Sequence, residues 1–349
     1  MKSPLILLFA VFAVGCDAQE AVLKFSGACD ASASVPLGNN AFIMADDESN
    51  TLRVYRLDTG SPDVVKTFAL DQALGIAGKK NPETDIEGAT RVGDTIYWIT
   101  SHGRSRKGKW RDARYIFFAT TVTDPASPEP MKLVGKPYNR MIHTLVRLPG
   151  LELRRAVGEL GEDEGKDFAP KESGLNIESL CASPDGKTLF LGFRNPQPGQ
   201  RGILLPLENA AEVIAGTGMA PKFGAPRLLD MSGLGFRAME YSPFHKCYLI
   251  VAGPHDSGGD SHLYKWSGEA TDKPELVKVI SDSNPESIMV FPDKSKVLLL
   301  SDDGTVLVDA KPGDSTEEVI AGKCECKTLV DPMKKSFRAY WIDVPVVSK

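Results

Sequence analysis

Short apolar runs alternate with turn signals along most of the chain. Five of these runs, AFIMA, TIYWIT, TLFLGF, CYLIVA and KVLLLS, are rich in β-branched or aromatic residues, and turn sequences such as PLGNN, VGD and SPDG precede several of them. Runs of this length and composition are typical of buried strands, whereas helices need longer amphipathic stretches. The pattern therefore predicts a protein built mainly of β-strands.

Each run belongs to a larger unit that is repeated along the sequence. A unit contains an acidic residue, an apolar run, a turn, a second apolar run and a polar cluster. The acid and the cluster are sixteen residues apart in three units, as between Glu178 and Arg194, and about one residue closer in the other two. Self-similarity on this scale indicates repeated supersecondary units. The acids of the five units are Asp30, Glu87, Glu178, Glu240 and Glu286.

Each unit continues with a third and often a fourth apolar run. After AFIMADD, for example, come TLRVYRLD and VVKTFAL. Four antiparallel strands per unit form the blade of a β-propeller. The last unit lacks an outer strand, which the N-terminal AVLKF can supply, and this closure removes an exposed sheet edge. We therefore predict an all-β, closed propeller of five blades, with six as the alternative, in one domain over residues 25–345.

One long interval interrupts the repeat between the second and third units. It contains a helix-like stretch at residues 139–148, with Met141, Ile142, Leu145 and Val146 on one face and Pro-Gly as a stop. We predict a helical insertion over about residues 137–174, packed on a face or rim of the propeller. A degenerate sixth blade is the alternative.

The N-terminus predicts export. One cation, Lys2, precedes the apolar run LILLFAVFAV and then AVGC, and this run is too short to span a bilayer as a helix, which needs about twenty apolar residues. Its end resembles the lipobox of bacterial lipoproteins. That resemblance implies a signal peptide at residues 1–15, lipidation of Cys16 and a periplasm-facing envelope protein. Residues 16–24 are then a tether and, from the AVLKF run, a possible closing strand. An ordinary secreted protein is the alternative.

The amino-acid composition limits the classes of molecule that the protein is expected to bind. The formal net charge is −5, and the one dense basic segment is short, so nucleic acid is not expected to bind. We expect a monomer whose membrane contact is the lipid anchor. Beyond Cys16 the cysteines are Cys29, Cys181, Cys247, Cys324 and Cys326.

Five cysteines cannot all pair with one another within one chain. The C-x-C at residues 324–326 supplies only two ligands and has no nearby His, whereas structural zinc usually has four ligands. Both a metal site and a disulfide that uses one of these two cysteines remain open at this stage.

A ring of acids is the main candidate site. In a propeller the inner-strand starts and the second-strand ends lie at one mouth of the channel, so we expect the repeated acids to converge there. Two carboxylates about 7 Å apart repel by roughly 2–3 kcal/mol at an effective dielectric near 20. A bound cation, an arginine such as Arg194 or Arg237, or protonation can compensate. The predicted ligands of Ca²⁺ or another divalent cation are Asp30, Asp85, Glu87, Glu178, Glu240 and Glu286.

A structural role is the alternative for these acids, since each could accept hydrogen bonds from backbone amides of a neighbouring blade. The second-strand ends bring further polar residues to the same mouth. These are Asp46, Asp47, His102, Arg194, Asn195, His255, Asp256, Asp302 and Asp303.

A basic segment at residues 101–111 overhangs the same mouth. We predict that Arg104 and Arg106, together with Arg194 and Asn195, bind an anion, because guanidinium groups match anionic oxygens. A solvated loop is the alternative. No nucleophile or nucleotide-binding motif is present in the sequence, so the candidates for general acid or base are His102 and His255.

The motifs DIEGA, YWITSHGR, NIESL, FRNP, NPES and SDDG resemble an uncharacterised family of exported bacterial propellers, domain-of-unknown-function family 3616, over residues 25–344. The strand starts D-x-E-G and N-x-E-S are also similar to those of phytase-like and esterase-like propellers. That similarity implies a metal-bearing mouth that hydrolyses phosphate esters, with Asp85, Glu87, Asn176, Glu178, Asn284 and Glu286 as ligands. Asp30 and Ala238 depart from the pattern.

Two functions are therefore expected: a metal-assisted hydrolase of an anionic, phosphate-type ester, or a non-catalytic propeller that binds a ligand or a protein.

Overall fold

The computed structural model describes residues 22–38, 40–57, 64–122, 131–256 and 258–346, and these form a five-bladed β-propeller. Each blade is a four-stranded antiparallel sheet, as predicted. Blade 1 contains β2 (Ala31–Pro36), β3 (Ala41–Asp46), β4 (Thr51–Arg56) and β5 (Lys66–Ala69). Blade 2 contains β6 (Ile86–Val92), β7 (Thr95–Thr100), β8 (Phe117–Val122) and β9 (Met131–Tyr138).

The next two blades repeat this order from the channel outward. Blade 3 contains β10 (Asn176–Ala182), β11 (Leu189–Asn195), β12 (Gly202–Leu207) and β13 (Arg227–Leu229). Blade 4 contains β14 (Gly235–Ser242), β15 (Cys247–Gly253), β16 (Ser261–Trp266) and β17 (Glu275–Ile280).

Blade 5 closes the ring with both ends of the described chain. Its strands are β18 (Pro285–Met289), β19 (Lys296–Ser301), β22 (Ser336–Asp343) and, as the outer strand, β1 (Val22–Ser26). Phe25 of β1 pairs with Phe337 of β22 and packs against Phe42 and Tyr55 of blade 1, with ring centroids 5.2–5.4 Å apart. The predicted five-bladed closure is thereby confirmed, and this aromatic cluster ties the last blade to the first.

The segment between blades 2 and 3 contains two short helices, α1 (Met141–Leu145) and α2 (Leu153–Val157). Helix α1 is shorter than the predicted stretch. The four apolar residues expected on one face are all buried, in a core cluster shared with blades 2 and 3. The helices therefore rest on the propeller through hydrophobic contact.

A third helix, α3 (Ala210–Ile214), lies between β12 and β13 and was not predicted. Its C-terminal carbonyl at Ile214 approaches Gly135 of β9 so closely that a Cβ there would overlap it, and Gly135 has a φ of +67°. Glycine is needed at this contact because it has no Cβ and tolerates positive φ.

Blade 5 also carries a small hairpin of β20 (Leu307–Asp309) and β21 (Lys323–Glu325). The first cysteine of the C-x-C segment lies in β21 and the second directly follows it. Cys326 forms a disulfide with Cys29, with Cα atoms 6.1 Å apart, which fits the expectation of a bridge that uses one C-x-C cysteine. Cys181, Cys247 and Cys324 are free thiols. Within the described ranges, no helix is long and apolar enough to cross a membrane. Cys16 lies outside the described residues.

Candidate functional site

Every inner strand has a β-bulge near its start, and the bulged residue marks the same position in each blade. In β6 the register shifts between Ile86 and Gly88, so Glu87 is bulged. Bulges commonly re-aim side chains beside functional sites. From blade 1 to blade 5 the bulged residues are Ser32, Glu87, Glu178, Arg237 and Glu286.

Asp30 and Glu240 are therefore not the bulged residues of their strands. The prediction that they are equivalent to Glu87, Glu178 and Glu286 was wrong. Asp30 precedes the bulge at Ser32 and bridges to Asp302 of blade 5. Glu240 lies beyond the bulge at Arg237, further along β14. The sequence alignment matched acids to acids, whereas the register depends on how each inner strand pairs with the next strand.

Blades 3 to 5 form the paired half of the mouth, defined as Glu178, Arg194, Arg237 and Glu286. Glu178 accepts from Nη1 of Arg194 at 2.7 Å and from Nη1 of Arg237 at 3.2 Å. Arg237 also binds Glu286 directly. All four side chains are buried, so each carboxylate has a guanidinium partner where desolvation would otherwise be costly.

Asparagines two residues upstream complete this half. The Nδ2 of Asn176 donates to Glu178 at 2.6 Å, and the Nδ2 of Asn284 donates to Glu286 at 3.1 Å. Burial still raises the pKa of Glu286 to about 7, although Arg237 lowers it. Both glutamates are held by hydrogen bonds within the protein, which favours a structural role for them.

Blades 1 and 2 form the acidic half, defined as Asp30, Asp46, Asp47, Asp85 and Glu87. Carboxylate oxygens of Asp47, Asp85 and Glu87 lie within 4.8 Å of one another, and those of Asp30, Asp46 and Asp47 do the same. The upstream position that holds asparagine in blades 3 and 5 holds Asp85 in blade 2. Two acids therefore face each other here, where the paired half has an amide and an acid.

Glu87 is the most poorly compensated member of the acidic half. It is 8% exposed, and within the described part of the chain its carboxylate has neither a hydrogen bond nor an ion pair. Burial raises its pKa well above the usual value, and Asp85 and Glu178 raise it further. Oδ1 of Asp47 is also buried without a partner among the described residues. Burial likewise raises the pKa of Asp47 well above normal.

Two members of the acidic half, Asp85 and Asp46, have partial compensation, whereas Asp30 has no ion pair with a cationic side chain among the described residues. Asp85 pairs with Nη1 of Arg114 at 2.9 Å, and Asp46 pairs more loosely with Nη1 of Arg53 at 3.5 Å. Asp30 lies against Gly304, where any Cβ would overlap the carboxylate. Burial, followed by repulsion from Asp302, raises the pKa of Asp30 to about 10. The cluster thus has more buried carboxyl groups than cationic partners.

His102 is at the mouth but inside the protein. Its Nδ1 lies 2.9 Å from the carbonyl oxygen of Thr100, its Nε2 is buried without a partner among the described atoms, and its φ is +51°. Burial lowers its pKa to about 4, so the ring is neutral at pH 7. A neutral imidazole can accept a proton, but only from a group that reaches this buried nitrogen.

Arg104 is also buried, which contradicts its prediction as an exposed anion ligand. Its guanidinium donates to the backbone carbonyl oxygens of Val157, Glu159 and Glu162 in the segment between blades 2 and 3. Trp110 and Phe168 lie over it at 5.2 and 5.5 Å. Its donors hold the insertion in place, whereas Arg106 of the same segment is exposed.

A cavity of about 560 Å³ opens between the insertion and the loops that follow β11 and β15. His255 is exposed and lines it together with Asn195. The Nδ2 of Asn195 donates to the carbonyl of Pro170 at 2.7 Å, and Arg194 donates to the carbonyls of Pro254 and Asp256 at 3.1 and 2.6 Å. These two residues fix the walls of the cavity. The other lining residues are Glu152, Arg155, Ala156, Asp167, Phe168, Glu172, Ser173, Pro196 and Gln197.

The channel itself is nearly filled. Its free space is about 20 Å³, room for roughly one water molecule. Small residues of the inner strands line it, together with three glutamates. A ligand much larger than water does not fit into this space.

The sequence named Asp46 and Asp47 only as strand ends, not as metal ligands, and it offered Arg237 only as one possible counterion. The signal for Asp47 was present, since two consecutive acids follow the strand AFIMA. Sequence alone could not rank them above the repeated glutamates, because the pairing of Glu178 and Glu286 with arginines depends on contacts between blades.

Solved structures show only a general likeness. Hydrazine synthase from Kuenenia stuttgartiensis has 10% sequence identity and a TM-score of 0.39. The alignment covers 92% of this chain and 65% of the length of that chain. The Cps50 (Swd1) β-propeller domain of Myceliophteria thermophila has 8% identity and a TM-score of 0.39, and the alignment covers 92% of this chain and 100% of that domain. The hemopexin fold protein CP4 from cow pea has 11% identity and a TM-score of 0.38, and the alignment covers 72% of this chain and 93% of that protein.

No curated protein matches this sequence. The family comparison is more specific, because two segments, residues 30–116 and 165–297, match one family profile, and together they cover more than half of the chain. These segments include the bulged acids of blades 2, 3 and 5. The chain belongs to the family described as protein of unknown function DUF3616.

Proposed function

We propose that this protein is a divalent-cation-binding propeller and that Asp47, Asp85 and Glu87 hold the cation. One observation carries the proposal: Glu87 is buried, has no hydrogen bond or ion pair with any described residue, and has two other carboxylates within 4.8 Å. Removing unpaired carboxylates from water costs several kcal/mol each. At neutral pH such a group must either stay protonated or acquire a cation.

The chemistry of the donors favours Ca²⁺ or Mg²⁺. All of the donors are carboxylate oxygens, which suit hard cations, and neither His nor Cys belongs to the group. Three protein ligands leave coordination positions for water or for oxygens of an anionic ligand. The cation would then attract an anionic ester to the mouth.

The enzymatic form of this proposal is metal-assisted hydrolysis of a phosphate-type ester. The candidate proton donor or acceptor is His255, which is exposed. It lines the cavity of about 560 Å³, a volume that suits a small organic ligand, whereas Asp47, Asp85 and Glu87 do not line that cavity. The non-catalytic form is a propeller that binds the same anion without cleaving it.

Calcium binding tests the first part. Isothermal titration of the purified protein should give binding that Glu87→Gln weakens by about tenfold or more, while Glu240→Gln, which alters an acid outside the cluster, should leave it unchanged. Unaltered binding in Glu87→Gln, or no binding to the wild type, would contradict the proposal.

Activity distinguishes the two forms. A panel of phosphate esters should be hydrolysed by the metal-loaded protein and not after chelation, and His255→Ala should lower kcat while the cation affinity stays unchanged. Cation binding without turnover of any ester would support the binding propeller instead.

We further propose that the chain is exported and anchored by a lipid on Cys16. The support is the apolar run and the AVGC sequence at the N-terminus. Cys16→Ser should abolish processing and membrane partitioning, as seen by fractionation and a mobility shift. Unchanged partitioning of this variant would argue against the anchor.

A further inference from the structure

The two carboxylate groups of the acidic half share one residue. Asp47 belongs both to the group with Asp85 and Glu87 and to the group with Asp30 and Asp46. Its Oδ1 is buried and has no hydrogen-bond partner among the described residues. A carboxylate has two oxygens, so one oxygen can face each group.

The charge count exceeds what one divalent cation can balance. Five carboxylates form the acidic half, and two of them have an arginine partner, Arg53 for Asp46 and Arg114 for Asp85. The other three, Asp30, Asp47 and Glu87, have no ion pair among the described residues, and together they carry three negative charges once cations replace their protons. One divalent cation still leaves the cluster negative, whereas two give it a positive charge that an anion can neutralise.

Asp30 has a built position within the second group. The Asp30 carboxylate packs directly against Gly304. A Cβ on residue 304 would overlap this carboxylate, so glycine is needed there. Asp30 is 5% exposed and has carboxylate neighbours on both sides, Asp46 in blade 1 and Asp302 in blade 5. Without a cation, Asp30 and Asp302 share a hydrogen bond, which requires a proton between the two carboxyl groups. With a cation, these carboxylates supply the oxygen ligands that it needs.

We propose that the mouth holds two divalent cations bridged by Asp47, one with Asp85 and Glu87 and the other with Asp30 and Asp46, and that the ligand is a phosphate ester. This inference rests on the proposed cation-binding function and deepens it. Adjacent divalent ions about 3.5–4 Å apart can hold two oxygens of one phosphoryl group and stabilise the oxygens that attack and leave.

The reaction that such a pair supports is simple hydrolysis. The oxygen of a water molecule bonds to phosphorus, the bond between phosphorus and the ester oxygen breaks, and the leaving alkoxide takes a proton from the attacking water. The products are inorganic phosphate and an alcohol. No oxidant, reductant or second substrate is required.

Manganese titration of the purified full-length protein tests the pair, with Mn²⁺ as the probe. Equilibrium dialysis should give two ions per chain. Electron paramagnetic resonance should show exchange coupling between them, in place of the hyperfine pattern of isolated Mn²⁺.

Single substitutions separate the two positions. Asp30→Asn and Glu87→Gln should each reduce the stoichiometry to one ion and remove the coupling, and Asp47→Asn should weaken both ions by about tenfold or more. Glu240→Gln is the matched control and should retain two coupled ions. Circular dichroism checks folding, and Asp46→Asn replaces Asp30→Asn if that variant does not fold.

The possible outcomes are distinct. Two coupled ions support the pair, and two uncoupled ions overturn the bridge through Asp47. One ion per chain overturns the second position but leaves the proposed single-cation function intact. No bound ion overturns both.

Discussion

The two halves of the channel mouth use the same bulged strand position for opposite electrostatic purposes. In the paired half, Glu178 and Glu286 each meet a guanidinium and an upstream asparagine amide. In the acidic half, Glu87 meets Asp47 and Asp85, and no donor of the described residues reaches it. A residue repeated in several blades therefore need not have one role.

The upstream residue is what separates the halves. An asparagine amide donates to a carboxylate and stabilises its charged form, whereas an aspartate at the same position repels it. Arg237 strengthens the contrast, because it replaces the repeated acid in blade 4 and binds the acids of both neighbouring blades. The acids of the paired half have their partners within the protein, and we propose that a cation completes the acidic half.

The largest expected effect comes from making the paired half resemble the acidic half. Arg237→Met leaves Glu178 and Glu286 with one guanidinium fewer in a buried setting, and removing one partner of a buried ion pair costs about 3–5 kcal/mol. Urea unfolding should show this loss. Adding Glu286→Gln to Arg237→Met should recover part of it, because Arg237 is the guanidinium that pairs with Glu286 among the described residues, whereas Glu178 keeps Arg194. Equal stability of Arg237→Met and the wild type would remove the distinction between the halves.

The acidic half lies next to a disulfide bond, whereas the paired half is held by buried ion pairs. Cys29, next to Asp30, is joined to Cys326 across a sequence separation of 297 residues. Removing a native disulfide typically costs about 2–4 kcal/mol, because the unfolded chain gains freedom. Cys326→Ser should lose this amount in urea unfolding, and reduced wild type should match it. Cys247→Ser, which changes a free thiol, is the control; a loss of equal size there would contradict the structural role of the bridge.

Replacing glutamate with glutamine should change the free energy of unfolding in opposite directions in the two halves. Without added metal, Glu87→Gln removes an uncompensated buried acid and should stabilise the protein by about 1 kcal/mol, whereas Glu178→Gln breaks charged hydrogen bonds and should destabilise it by about 1.5–3 kcal/mol. At a calcium concentration about 100 times Kd, wild type and Glu178→Gln should gain about 2.7 kcal/mol. Glu87→Gln should gain less. Parallel shifts in both variants would contradict the comparison.

The last prediction concerns Glu240, an acid that lies outside both halves of the mouth. Burial raises its pKa from 4.5 to about 8, and the backbone N–H of Tyr241 donates to Oε1 at 3.1 Å. Between pH 4.5 and 8 the folded state keeps a proton that the unfolded state releases, so stability falls as the pH rises, by at most about 1.4 kcal/mol per unit.

The measurement is urea unfolding of wild type and Glu240→Gln at several pH values in this range. The wild type should lose stability relative to Glu240→Gln as the pH rises. A constant difference between the two proteins would show that the Glu240 carboxyl titrates normally in the folded state.

Local patterns in the chain were enough to predict five strand units, closure by the N-terminal strand and the family. Strand formation depends on apolar runs and turn residues that are close together in sequence, so these features can be read without coordinates. The convergence of inner-strand acids at one mouth followed from the same repeat. The domain boundaries and the lipid anchor remain predictions.

Contacts between distant segments decided the rest. Pairing with the neighbouring strand placed the bulge at Arg237 instead of Glu240, and packing of the insertion buried Arg104 among backbone carbonyls. The neutralisation of Glu178 but not Glu87 depends on which side chains of adjacent blades reach them. Burial and pairing arise only when the blades close into a ring, and this is why residues of one repeated motif acquired different charges and different uses.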